Sequence, residues 1–207
     1  MSWLARLLGR GPAAAGGERW VVLDVETSGM NVASDALISI GAVAMVDGRV
    51  VPGDSLEYVV RQSQASSREN ILVHGVGRAA QLTGVDPTQA VERFLDYVGR
   101  APLIAFHAPF DRGFLARAIK TYVNTPFDNP WLDLAELAPA VDPKARLKSL
   151  DEWLGRYAIP VSVRHSAAAD AFATALLAAR LLPEAARQGA RSFAQLQSLA
   201  RSAKWIQ

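Results

Sequence analysis

The chain of 207 residues contains no cysteine. That absence excludes a disulfide framework, a thiol nucleophile and cysteine-based zinc sites, and it suits a reducing compartment, so a cytoplasmic location is expected. Histidine is scarce as well, with 3 residues in all. No apolar run approaches the roughly 18–20 residues that a membrane span requires. Trp3, Leu4, Leu7 and Leu8 are interrupted by Arg6 and fall short of the about 7–15 apolar residues of a signal-peptide core. Net charge is nearly absent too: 22 Lys plus Arg against 20 Asp plus Glu leave +2, too little for a strong electrostatic footprint. With 50% hydrophobic residues, the chain has material for a full core and does not read as disordered.

What is present divides into three stretches. Residues 1–18 join a short apolar segment to a Gly/Ala-rich linker over 9–17. Residues 19–183 carry the patterning of one domain, and 184–207 read as a basic amphipathic C-terminal helix. Within the domain, Trp20–Glu26 alternates with period two and predicts a strand. Leu37–Val46 predicts a second, and Asp47-Gly48 a tight hairpin into Arg49–Val51. A third short strand is expected over Leu56–Val60, and the polar stretch 62–70 reads as a loop or a frayed helix start. Helices are expected over Pro87–Gly99, capped by Asp86, and over Pro109–Tyr122, with a buried strand at Pro102–Phe106 between them. Residues 131–137 fit neither period. Ser149–Tyr157 and Ser166–Leu182 predict two further helices, the second ended by Pro183. This order describes a mixed α/β sandwich in a single domain.

Asp24 and Glu26 sit two apart on one strand, so both side chains leave the same face. Two like charges on a buried strand are costly without a cation or a shared proton; the alternative is that they hang off a strand end into solvent. Phe110-Asp111 opens the next helix, where an acid also suits the helix dipole. His165 and Asp170 repeat that arrangement at a later helix start. Carboxylates without cysteine, and with few histidines, form the ligand set of Mg²⁺ or Mn²⁺ rather than zinc. Four acids from one strand and two helix starts suffice for a pair of such ions, which clamp the attacking and leaving oxygens of an in-line phosphoryl displacement. A histidine beside them, with a reference pKa of about 6.5, suits proton abstraction from water.

Residues 23–29 (LDVETSG), 107–111 (HAPFD) and 165–171 (HSAAADA) resemble the three motifs of the DEDD exonuclease superfamily in its His-containing branch, and most closely the proofreading epsilon subunits of bacterial DNA polymerase III. The resemblance covers roughly 19–183 and includes VHGV at 73–76. It implies an α/β ribonuclease-H-like fold and stepwise 3′-to-5′ removal of nucleoside 5′-monophosphates from single-stranded DNA ends. It further implies two Mg²⁺ or Mn²⁺ ions: Asp24, Glu26 and Asp170 hold the first, Asp24 reaches the second, and Asp111 acts largely through water. His165 is the implied general base. Thr27 and Gly29, then His74 and Glu69, match positions near the terminal nucleotide. The second motif departs from the family's usual His-Asn start, with Phe106 and His107 in those places, which bears on substrate preference at that edge.

Of the other features, His107 is expected to be a structural hydrogen-bonding residue, and Phe94, Phe114, Tyr122 and Trp153 to be core rather than base-stacking platforms. The tail 184–207 either packs back on the domain or supplies phosphate contacts or a docking helix for a polymerase or clamp subunit. Rival functions stay open at this point: a 3′-to-5′ ribonuclease on short RNA or tRNA ends, or a non-catalytic module of a replication assembly.

Overall fold

The structure, a computed structural model, describes residues 18–161 and 166–203. The N-terminal segment, His165 and Lys204 lie outside the described residues. The frame is a five-stranded sheet in the order β3-β2-β1-β4-β5. β1 (Arg19–Thr27) is central; β2 (Leu37–Val46) pairs with it antiparallel, and β4 (Leu103–Ala105) pairs with it parallel. β3 (Arg49–Val59) lies outside β2, and β5 (Trp131–Asp133) runs parallel to β4 at the other edge. The hairpin at Asp47-Gly48 forms as expected, both residues having positive φ. β3 is one strand rather than two. Val51 still pairs with Ala44, but the next pair is Ser55 with Val43, so 52–54 bulge outward on a strand that then continues.

Alternation along β1 builds two cores, one on each side of the sheet. Trp20 and Val22 face a layer made by α5 (Leu134–Val141), α6 (Leu150–Arg156), α7 (Ala167–Arg187) and α8 (Phe193–Ala203). Val21, Leu23 and Val25 face α3 (Pro87–Val98) and α4 (Ala108–Tyr122). Phe94, Phe114 and Trp153 are core as expected, but Tyr122 is 44% exposed at the end of α4. The ambiguous stretch 131–137 resolves into the edge strand β5 and the first turn of α5, with Asp133 capping the helix by accepting from the Ala135 N–H at 2.9 Å.

Two further sequence expectations are corrected. α7 does not stop at Pro183 but runs to Arg187. Leu181 and Ala185, on either side of the proline, are fully buried, and that packing overrides a local cost of about 3 kcal/mol. The tail is therefore not one helix over 184–207: its first residues finish α7, a turn with Gly189 at φ 90° follows, and α8 begins at Phe193. α8 packs back on the domain through Phe193, Leu196 and Ala200, and Gln197 donates to the Trp131 carbonyl at 2.8 Å, covering the β5 edge. Of the two readings open for 62–70, both apply: a loop follows β3, and α1 (Arg68–His74) starts within the stretch, with α2 (Arg78–Thr83) after it. Ser67 caps α1, and Gly75 closes it in the left-handed conformation at φ 69°.

Among the described residues, no helix is long and apolar enough to cross a membrane.

Candidate active site

Asp24 and Glu26 leave β1 on the face that α7 covers, one and two steps beyond the apolar Val22. β2 lies beside them, with Gly41 opposite Asp24 and Ser39 opposite Glu26. The start of α7 is capped by Ser166, whose hydroxyl accepts from the Ala169 N–H at 3.2 Å. Asp170 stands in the first turn of α7, where the unpaired N–H groups of a helix start favour a carboxylate. What brings this turn onto the strand is the glycine. A Cβ built on Gly41 would lie 2.1 Å from the Ala167 carbonyl carbon and 2.2 Å from the Ala168 nitrogen, so no larger residue fits without moving the helix. Carboxylate oxygens of Asp24, Glu26 and Asp170 consequently lie within 4.8 Å of one another.

Asp111 approaches from the opposite layer. His107 enters the left-handed region at φ 64°, turning the chain out of β4 and into α4, and its backbone N–H donates to Asp133 Oδ1 at 2.9 Å. The structural role expected of His107 is thus carried by its backbone. Its exposed ring makes no cap hydrogen bond and packs edge-on to Phe106 at 4.8 Å between centroids. One turn on, Asp111 is buried and its Oδ1 accepts from the Val25 N–H at 3.1 Å. Burial pushes the Asp111 carboxyl well above the ordinary carboxylate range; the backbone donors, Val25 among them, oppose this, while Asp133 and Glu26 add to it. Asp133 is raised as well, again first by burial. Asp111 is thus tied to the β1 backbone one residue before Glu26 and lies near enough to feel its charge.

The remaining predicted residues lie on the turn leaving β1 and on α1. Thr27 donates to the Gly29 carbonyl at 2.7 Å and shapes the turn leaving β1. Asn70 of α1 donates to the Ser28 carbonyl and ties α1 to that turn. Glu69 is exposed in the first turn of α1, where its own backbone N–H and the Ser67 hydroxyl hold its carboxyl below the ordinary range. His74 is buried at the end of α1: Nδ1 accepts from the Val76 N–H at 3.0 Å and Nε2 lies 2.9 Å from Ser66 Oγ. That pairing fixes a neutral ring with its proton on Nε2. Gln81, also buried, completes the network through the Ser66 N–H, Ser66 Oγ and the Val76 carbonyl. His165 immediately precedes Ser166 in sequence and lies outside the described residues. Sequence reasoning missed Gly41, Ser39, Asn70 and Asp133. The Ser67 and Gly75 boundary signals of α1 were available to place Asn70, but the other three gain meaning only through contacts distant in sequence.

The donor set fits a divalent ion: three carboxylates within 4.8 Å, hard oxygen ligands from two rigid elements, in a chain without cysteine.

The sequence pattern of the exonuclease family matches residues 21–178, a span that holds all four acids. A DNA polymerase III subunit epsilon-like protein of Rhodobacter capsulatus is 35% identical over 196 residues, covering 90% of this chain and 28% of the relative. The PolC-type DNA polymerase III of Latilactobacillus sakei is 32% identical over 174 residues, covering 81% of this chain and 11% of the relative. The chain thus spans well under a third of either protein. Among solved structures, E. coli exonuclease I in complex with a dT13 oligonucleotide aligns with a TM-score of 0.72 at 18% identity, over 83% of this chain and 42% of that one. The nuclease domain of 3′hExo, a DEDDh family member bound to rAMP, aligns with a TM-score of 0.71 at 16% identity, over 83% of this chain and 95% of that domain. These likenesses establish a ribonuclease-H-like fold, the architecture that the resemblance of the three motifs implied. With the exonuclease pattern running across most of its length and the acids gathered within that frame, the chain belongs to the exonuclease family.

Proposed function

We infer that the chain is a 3′-to-5′ exonuclease that hydrolyses phosphodiester bonds at single-stranded 3′ ends, DNA preferred, and releases nucleoside 5′-monophosphates. The observation that carries this reading is the convergence of Asp24, Glu26 and Asp170 from β1 and α7 within 4.8 Å. These three residues would hold Mg²⁺ or Mn²⁺, two ions in all, with Asp24 shared and Asp111 contributing largely through water. When bound, such ions bring the attacking and leaving oxygens into line and stabilise the charge that develops on the phosphate.

The rest is work for the chain's own groups. His165, next to the Ser166 cap of α7, takes a proton from the attacking water, a task suited to a group that titrates near neutrality. Water attacks phosphorus, and the 3′ oxygen of the penultimate nucleotide leaves. The turn built by Thr27 and Gly29 and the exposed face of α1, with Glu69, border the terminal nucleotide, and His74 holds that helix in place from beneath. A polymerase subunit is the proposed partner, on the strength of the names of the relatives, with a clamp subunit as the alternative.

The test is digestion of 3′- and 5′-labelled single-stranded DNA and RNA with Mn²⁺ or with EDTA. Stepwise loss from the 3′ end, dependence on metal and faster cleavage of DNA are expected. Release from the 5′ end, or full activity in EDTA, would overturn the reading; faster cleavage of RNA would reverse the sugar preference alone.

A further inference from the structure

Ser39 is a buried residue, 1% exposed, and its hydroxyl has no hydrogen-bond partner among the described residues. Buried hydroxyls are nearly always paired, because leaving one unmade forfeits its bonds to water. Its place in the sheet says what it faces. Ser39 stands opposite Glu26 in the antiparallel β1–β2 pair, and directly opposed residues project to the same face with Cβ atoms about 4.5–5.5 Å apart. Further along the same face of β2, Val43 and Met45 enter the core beneath α7, and Gly41 touches the backbone of Ala167 and Ala168. The Ser39 side chain is therefore sealed under the start of α7, beside the carboxylates that converge there.

We propose that Ser39 is a positioning residue of the metal site, its hydroxyl donating to the Glu26 carboxylate in the ion-loaded chain and turning that carboxylate toward the ion. The proposal rests on the metal-site reading above. A ligating carboxylate is normally oriented by a hydrogen bond from behind, and loss of such a partner typically costs about 10–100-fold in metal affinity or activity. Ser39 has the donor, the register and no competing bond among the described residues. The metal-free chain gains nothing from this hydroxyl, whereas the loaded chain does.

The test is Mn²⁺ binding followed by electron paramagnetic resonance, alongside thermal melts in EDTA, for the wild type, Ser39→Ala and Asp24→Ala. Ser39→Ala deletes one atom and leaves no cavity of consequence. It is expected to raise the Mn²⁺ dissociation constant by about 10-fold or more while its melting temperature in EDTA equals or exceeds that of the wild type. Unchanged Mn²⁺ affinity overturns the proposal, and so does a lowered melting temperature in EDTA, which marks a structural hydroxyl. If Asp24→Ala abolishes binding while Ser39→Ala does not alter it, the metal site stands and the role of Ser39 falls. If the wild type itself binds no Mn²⁺, the metal-site reading falls and takes the proposal with it.

Discussion

Replacing Gly41 by alanine adds one methyl group on β2, across the sheet from Asp24, and the structure sets the size of the response. The new Cβ would sit 2.1 Å from the Ala167 carbonyl carbon, whereas ordinary contact begins near 3.4 Å, so the first turn of α7 must retreat by about 1.3 Å. The obstacle is backbone, so no side-chain rotation relieves it. Asp170 is three residues beyond Ala167 and moves with it. Metal ligands tolerate displacements of about 0.2 Å, and a misplacement of about 1 Å near reacting groups costs about 100-fold in rate. Gly41→Ala is thus expected to weaken Mn²⁺ binding and to slow hydrolysis of single-stranded DNA by at least about 100-fold. Overpacking costs about 1–3 kcal/mol, partly offset by the lower backbone entropy of alanine in a strand, about 0.5–1 kcal/mol. The fold should survive, with a melting temperature lowered by a few degrees at most per kcal/mol lost. Calorimetric titration with Mn²⁺, a gel assay of labelled oligonucleotide and a circular-dichroism melt read the three effects. Gly53→Ala is the control, since its Cβ meets nothing within 4 Å. A folded Gly41→Ala variant with wild-type metal affinity and rate would refute the reasoning.

Asp24→Ala and Asp170→Ala should each abolish turnover while melting in EDTA no lower than the wild type, because each removes one of three clustered like charges; wild-type activity in either would reject the assignment. His165→Ala should lower the hydrolysis rate by about 10²–10⁴-fold and leave the Mn²⁺ dissociation constant near the wild-type value, a split visible by comparing single-turnover rates with metal titrations. His74 gives stability a pH dependence of definite sign. Its burial depresses the pKa, so between that value and the ordinary pKa of about 6.5 the unfolded chain holds the extra proton. Its contribution is therefore complete above about pH 6.5 and is lost as pH falls below it. Urea melts from pH 7.5 to 5.5 should show this decline, and His74→Gln should flatten it; an equal slope in the variant would show that another group is responsible.

The parts of this molecule that were legible in the sequence are those whose signal is local. Asp24 and Glu26 announce a shared face because strands repeat every two residues, and the flanking Val21, Leu23 and Val25 announce the opposite core. Ser166 and Asp170 mark a helix start by the same short-range logic. Gly41 carried no such signal: it reads as a small residue in an apolar strand, and its role appears only when Ala167, far along the chain, is laid over it. Ser39 and Asp133 were hidden for the same reason. α1 stayed open between a loop and a frayed helix start because its apolar side is scanty, with Leu72 and Val73 exposed, and its anchorage comes instead from the buried Ser66–His74–Gln81 network. Pro183 misled in the other direction, since a local breaker was overruled by burial of Leu181 and Ala185.

The distance along the chain between the strand acids and the helix that completes them has a consequence for synthesis. Asp24 and Asp170 are 146 positions apart, and α7 is among the last elements to leave the ribosome. Until it does, the Asp24–Glu26 pair lacks Asp170, and Gly41 has nothing to lie against it. The proposed metal site is thus assembled late: a chain interrupted before α7 lacks the Asp170 carboxylate that completes the cluster.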